Sequence, residues 1–167
     1  MAQAMNDDQR REKVREMVRD IRFCMFTTLD DKGRMHGRPM AAMTGPDQDD
    51  TIWFFTRADS PKTAEIGADG QVLLSFGHGN DYLSLTGEAT VMRDVEKQKA
   101  LWNEMARVWF PKGAESEELT LIAFHPVEAQ YWDSPPGVVL FAYGYAKAVL
   151  TGRPPVVGEN EKVAFAG

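Results

Sequence analysis

The residue types best able to do chemistry cluster between Thr51 and Gly67, in the run Thr-Ile-Trp-Phe-Phe-Thr-Arg-Ala-Asp-Ser-Pro-Lys-Thr-Ala-Glu-Ile-Gly. Its β-branched and aromatic first part, Thr51 to Thr56, has the composition and length of a strand. Its second part reads as a short helix, with Ser60 suited to the N-cap and Pro61 to the first helical position. A strand that turns through Arg57, Ala58 and Asp59 into a helix start leaves backbone N–H groups unpaired and directed outward. The hydroxyls of Thr56 and Ser60 and the ammonium of Lys62 stand beside them. Such donors suit an anion, and phosphate above all. An ordinary capped helix after a strand would carry the same signature, and the spacing alone favours that plainer reading.

The other reactive side chains are dispersed. His36, His78 and His125 lack metal-ligand spacing and no cysteine cluster exists, so no metal site is expected. Cys24, between Phe23 and Met25 in a strand, reads as an inert buried thiol. His78 lies in a glycine-rich turn and reads as a surface residue rather than a ligand contact. Carboxylates are scattered over turns and helix faces, and no acid–base pair can be nominated. Neither a G-x-G-x-x-G nor a Walker sequence is present, so a nucleotide would not be held in the usual way. Any chemistry must come from a bound cofactor, or there is none.

The elements that must hold these residues follow from apolar periodicity. At 167 residues, 43% hydrophobic and 26% charged, the chain has the size and composition of one globular domain. Its net charge of −6 argues against a nucleic-acid partner. No apolar run reaches membrane-spanning length and the N-terminus does not resemble a signal peptide, so the cytoplasm is the expected location. Val14, Met17, Val18 and Ile21 follow helical spacing and predict an amphipathic helix over about 7–22. Strands are predicted over 23–29, 34–44, 51–56, 71–76 and 82–93, with turns at Asp30-Asp31-Lys32-Gly33 and Gly77-His78-Gly79-Asn80-Asp81. Gly87, inside the fifth strand, suggests a bulge or a close backbone approach. Asp94 should cap a helix over roughly 95–109 that carries Leu101, Trp102, Met105 and Val108 on one side. A sixth strand, 119–132, is expected to break at His125-Pro126; a last helix spans 138–151, and 152–167 reads as a flexible tail. Meander spacing with helices at the edges predicts a mainly β fold with peripheral helices (α+β), a six-stranded antiparallel barrel.

Three separated motifs then give a resemblance. Gly37-Arg38-Pro39-Met40, Trp53-Phe54-Phe55-Thr56 with Ser60-Pro61-Lys62, and Tyr131-Trp132-Asp133 occur in the order found in pyridoxamine phosphate oxidase-like FMN-binding split barrels. The chain looks most like the bacterial general stress proteins of that superfamily, over about residues 10–150. The resemblance implies that Arg38, Ser60 and Lys62 bind the flavin phosphate, and that the backbone around Pro39, Met40, Phe55 and Thr56 lines the ring. It implies FMN, with FAD left open, held at the interface of a homodimer, where Trp132 reaches the flavin of the partner subunit. The insertion around Leu101 to Pro111 is typical of the same branch. Trp102 and Met105 are expected in core packing, whereas Trp109 and Phe110 stand equally as packing or as walls of the site.

The departures narrow the implied activity. The oxidases carry a lysine five residues after the strand arginine, where this chain has Met43. They also place an arginine and a histidine after the late tryptophan, where this chain has Pro135-Pro136-Gly137-Val138-Val139-Leu140. Pro61 replaces a basic residue of the phosphate site. Pyridoxamine oxidation is therefore not expected. Two readings stay open: a flavin-dependent oxidoreductase in stress defence, with an unknown small-molecule redox partner, and a flavin carrier or sensor without turnover. A barrel that has exchanged flavin for haem is disfavoured by the want of a well-placed histidine.

Overall fold

The computed structural model describes residues 5–45, 49–133, 137–153 and 159–165. Helix α1, Asp7–Ile21, starts at a capping box in which Asn6 and Gln9 satisfy each other's backbone N–H groups, and it buries Val14, Met17 and Val18. Strands β1 (Phe23–Leu29) and β2 (Met35–Ala41) form a hairpin, and β3 (Met43–Thr44) follows after a single residue. Then come β4 (Ile52–Arg57), α2 (Pro61–Ala68), β5 (Gln71–His78), β6 (Asp81–Met92) and α3 (Val95–Leu101). A short 3-10 helix (Glu104–Val108), β7 (Leu119–Asp133), α4 (Gly137–Thr151) and β8 (Glu159–Ala164) complete the chain.

The strands form one antiparallel sheet in the order β2-β1-β5-β6-β7-β4-β3, with β8 added to β7. The two ends of that order, β2 and β3, are separated in sequence by Ala42 alone. The Ala42 N–H donates to the carbonyl of Arg22 at 2.7 Å, in register with the β1–β2 ladder, and beyond it the chain changes partner. One stretch of chain thus pairs first with β1 and then with β4, and the sheet curls back upon itself. Inside it Phe26 and Phe54 meet edge to face at 5.0 Å, with Leu74, Leu85, Phe124 and Tyr131 fully buried around them. A second cluster, Trp53, Leu101, Leu121 and Ala123, lies where α3 covers the sheet.

The expected architecture holds, with eight strands rather than six. One of the added strands arises from the break at Ala42. The other is β8, which occupies part of the stretch expected to be a tail; its sequence, Glu-Asn-Glu-Lys-Val-Ala, is too polar to announce a strand but suits a sheet edge. β8 pairs with the second half of β7, from Glu128 to Asp133, while β4 pairs with the first half, from Leu119 to Phe124. Helix α1 clasps it: Arg10 meets Glu161 at 3.2 Å, Arg11 donates to the Ala164 carbonyl, and its guanidinium lies over the Phe165 ring.

β7 is continuous across His125-Pro126, contrary to expectation. The proline, which has no N–H, falls in the gap where β7 changes partner from β4 to β8. A bulge opposite Thr86 and Gly87 absorbs the irregularity. There a Cβ on Gly87 would stand 2.2 Å from the His125 carbonyl oxygen, so the expected close approach is real. The predicted helix over 95–109 also stops early, at Leu101. Asn103 ends it by capping a new turn, accepting from the Ala106 N–H at 3.1 Å. Met105 and Val108 are consequently exposed, not packed.

Candidate anion-binding site

Four elements bring their polar side chains to one place. On β1, Cys24, Phe26 and Thr28 alternate inward, and Thr28 is buried although polar. Arg38 lies opposite Phe26 across the β1–β2 ladder. On β4, Thr56 follows the buried Phe54 on the same face and is itself buried. Ser60 and α2 then turn over this end, so that Lys62 and Glu65, one helical turn apart, stand beside the two strands.

Two linked subsets result. The Arg38 guanidinium donates to Thr28 Oγ1 at 2.7 Å and to Glu65 Oε2 at 2.9 Å, and the Thr28 hydroxyl donates to the same Glu65 oxygen. The Lys62 ammonium donates to Thr56 Oγ1 at 2.9 Å and to Ser60 Oγ at 2.7 Å. Ser60 is the N-cap of α2, yet its hydroxyl makes no cap hydrogen bond; Lys62 uses it instead.

The electrostatics of the two cations differ. Arg38 is paired with a carboxylate. Lys62 has no carboxylate within ion-pair distance among the described residues; burial, followed by the nearby Arg38 charge, holds its pKa below the usual lysine value, and Glu65 only partly compensates. For Glu65 burial works against ionisation, but hydrogen bonds from Thr28 and Arg38 outweigh it and its pKa ends below the usual glutamate value. A half-buried ammonium that only hydroxyls satisfy, next to a second cation, has room for another negative charge. The donor set therefore fits a phosphate group.

Of the residues singled out in the sequence, Arg38, Thr56, Ser60 and Lys62 are brought together. Thr28 and Glu65 were missed, although Glu65 is three residues after Lys62 and Thr28 is a polar residue at a core position of its strand. Met40 packs against the barrel core, and Pro39, opposite Met25, is exposed on the outer face. Phe55 lies outside the barrel, its ring 5.7 Å from Trp102 and 6.1 Å from Phe110. Trp102 thus packs as expected. Trp109 is 77% exposed, and Trp132, opposite Tyr82 and Asn160, is 37% exposed. No ring contact or side-chain hydrogen bond joins Trp109 or Trp132 to Arg38 or Lys62 among the described residues. Pro135 and Pro136, in the stretch expected to replace the oxidases' substrate residues, lie outside the described residues.

Around the outside of the sheet Phe23, Met25, Tyr82 and Trp132 alternate with the buried Cys24, Phe26, Leu83 and Tyr131 and are exposed. Burial pushes the Cys24 thiol up to about 12, as expected for an unreactive cysteine. Among the described residues no group of three or more His, Cys, Asp or Glu is placed to hold a metal, and no helix is long and apolar enough to cross a membrane.

A family model for proteins like pyridoxamine 5′-phosphate oxidase matches residues 9–155. Among solved structures, one from Jannaschia sp. CCS1, provisionally assigned as general stress protein 26, is 27% identical with a TM-score of 0.68, over 90% of this chain and 94% of that one. The general stress FMN/FAD binding protein of Xanthomonas citri is 28% identical with a TM-score of 0.64, over 73% of this chain and 87% of that one. General stress protein 26 of Bacillus anthracis shares the fold at 20% identity, with a TM-score of 0.65, over 72% of this chain and 92% of that one. No curated protein matches the chain.

Proposed function

The chain belongs to the pyridoxamine 5′-phosphate oxidase-like family, and from that premise we propose that it binds FMN and works as a flavin-dependent oxidoreductase in stress defence. The observation that carries the reading is the Lys62 ammonium, half-buried and, among the described residues, satisfied only by the Thr56 and Ser60 hydroxyls. Lys62, Ser60 and Arg38 would hold the phosphate, with Glu65 and Thr28 fixing the guanidinium. The backbone of Pro39, Met40, Phe55 and Thr56 would border the ring. A bound flavin would supply the hydride or electron transfer that the side chains do not. The protein's part is to bind, orient and shield it.

The reading includes a homodimer in the cytoplasm. Phe23, Met25, Tyr82 and Trp132 give the sheet an exposed apolar outer face that a second copy would cover. Trp132 would then reach the partner's flavin, and Trp109 and Phe110 are candidate walls of the same site. The likeness to the Xanthomonas citri protein, which is described as binding FMN or FAD, supports a flavin; the choice of FMN follows the family resemblance. The test is to purify the protein, release any chromophore by heat and identify it by mass. FMN in near-stoichiometric amount is expected, and protein that neither retains nor takes up FMN would overturn the reading. Reduction of the bound flavin by NADH or NADPH, then reoxidation by an acceptor, separates turnover from a carrier or sensor role.

A further inference from the structure

Arg22 links α1 to β1 and, alone among the described non-glycine residues, has a positive φ, +65°. A residue with a Cβ adopts that conformation at a cost, and it persists only where the surroundings impose it. Here they do. The Arg22 N–H donates to the Val18 carbonyl at 2.9 Å and its carbonyl accepts from Ala42 at 2.7 Å, which pins the backbone between α1 and the β2–β3 junction. Glycine would meet the same demand with less strain, so the presence of arginine points to its side chain.

Arg22 lines a cleft of 490 Å³ between the end of α1, β3 and the end of α3. Among the described residues the Arg22 guanidinium has no hydrogen-bond or ion-pair partner. Arg19, bonded to Glu12 at 3.1 Å, adds a second cation to the wall. Asn103 turns its Oδ1 to the Ala106 N–H, which leaves its amide nitrogen as a donor, and Thr44 adds a hydroxyl. Met43 and Leu101 give the cleft an apolar side, and among the described residues no carboxylate lines it.

We propose that this cleft binds a small organic anion, one with an apolar body and a carboxylate or phosphate head that Arg22 grips. An unpaired guanidinium on a pinned backbone, two neutral donors and an apolar wall match that chemistry. The cleft is built from residues other than those of the phosphate site, and the inference does not depend on flavin binding.

Amide proton–nitrogen correlation spectra of the full-length protein, titrated with benzoate and separately with inorganic phosphate, test it. Saturable shifts centred on Arg22, Thr44, Leu101 and Asn103 are expected from at least one probe, and which probe binds identifies the head group. Arg22→Gly should weaken that binding about tenfold or more, the scale of a lost charge-assisted hydrogen bond, while the melting temperature holds or rises because the strain is relieved. Arg22→Gln, which keeps the backbone demand but removes the charge, should weaken it as well and decides the matter if the glycine variant fails to fold. The binding should persist in Lys62→Ala, which separates it from the site on α2. No saturable shift at these amides with either probe, or equal binding by the Arg22 variants, would overturn the proposal.

Discussion

Replacing Lys62 with alanine should separate the stability of the fold from its affinity for flavin. In the protein without ligand, Lys62 donates to Thr56 at 2.9 Å and to Ser60 at 2.7 Å. Against those bonds stand the burial of the ammonium and its repulsion by Arg38, which together lower its pKa. Because burial and repulsion oppose the hydrogen bonds, Lys62→Ala should change the stability of the apoprotein by less than about 1 kcal/mol. Removing a cation that grips a phosphate dianion costs about 1.5–3 kcal/mol, or roughly 10- to 150-fold in affinity. The sign of the pH dependence follows. A lysine whose folded pKa lies below its ordinary 10.5 sheds its proton earlier in the folded state than in the unfolded one. Stability therefore rises with pH between the lowered value and the ordinary one, and the alanine variant lacks this gain. A bound dianion favours the charged ammonium, so FMN affinity should fall as pH rises through the same window. Fluorescence titration of apoprotein with FMN and urea unfolding across pH measure the two effects. An affinity within threefold of wild type, together with a stability loss above about 2 kcal/mol, would show that Lys62 ties the strand to the helix and holds no phosphate.

The remaining predictions address the surroundings of the site. The folded Glu65 pKa is lowered, so its contribution to stability is present above the unfolded value and disappears as pH falls through the folded one; acid unfolding of Glu65→Gln should be correspondingly less steep than wild type. Gly87→Ala would place a methyl 2.2 Å from the His125 carbonyl and should cost about 1–3 kcal/mol or more by urea unfolding, because backbone rather than a flexible side chain must yield. Trp132→Ala should weaken FMN only at concentrations where the dimer persists, which sedimentation run beside the titration can check; equal weakening in monomer and dimer would place Trp132 in its own subunit's site.

The legible parts of this fold were those with a clear period. Val14, Met17 and Val18 announce the buried face of α1, and the alternation in Phe23–Leu29 announces β1. Gly87 marked the close approach because no side chain fits there. Three features were hidden for physical reasons. The break at Ala42 reflects a change of pairing partner, from β1 before it to β4 after it, which local sequence does not encode. The early end of α3 turns on Asn103 capping a new turn within an otherwise helical pattern. β8 is polar because it is an edge, and only pairing with β7 makes it a strand. In the site, Lys62 and Ser60 could be read from their place at a helix start, but the roles they take could not: Ser60 serves the ammonium instead of its own helix. Glu65 and Thr28 emerge as a pair only once Arg38 bridges them.

The divided flank of β7 has a bearing on how the polypeptide assembles. Its first half is occupied by β4, made early, whereas its second half waits for a strand made some twenty-five residues later. Until β8 docks, or after a protease cuts it away, alternate residues between Glu128 and Asp133, those whose backbone does not face β6, offer unclaimed N–H and C=O groups to any neighbouring chain. The arginines at the start of the chain, which hold the final strand through Glu161 and the Ala164 carbonyl, thus act as a safeguard against aggregation as much as a stabilising contact.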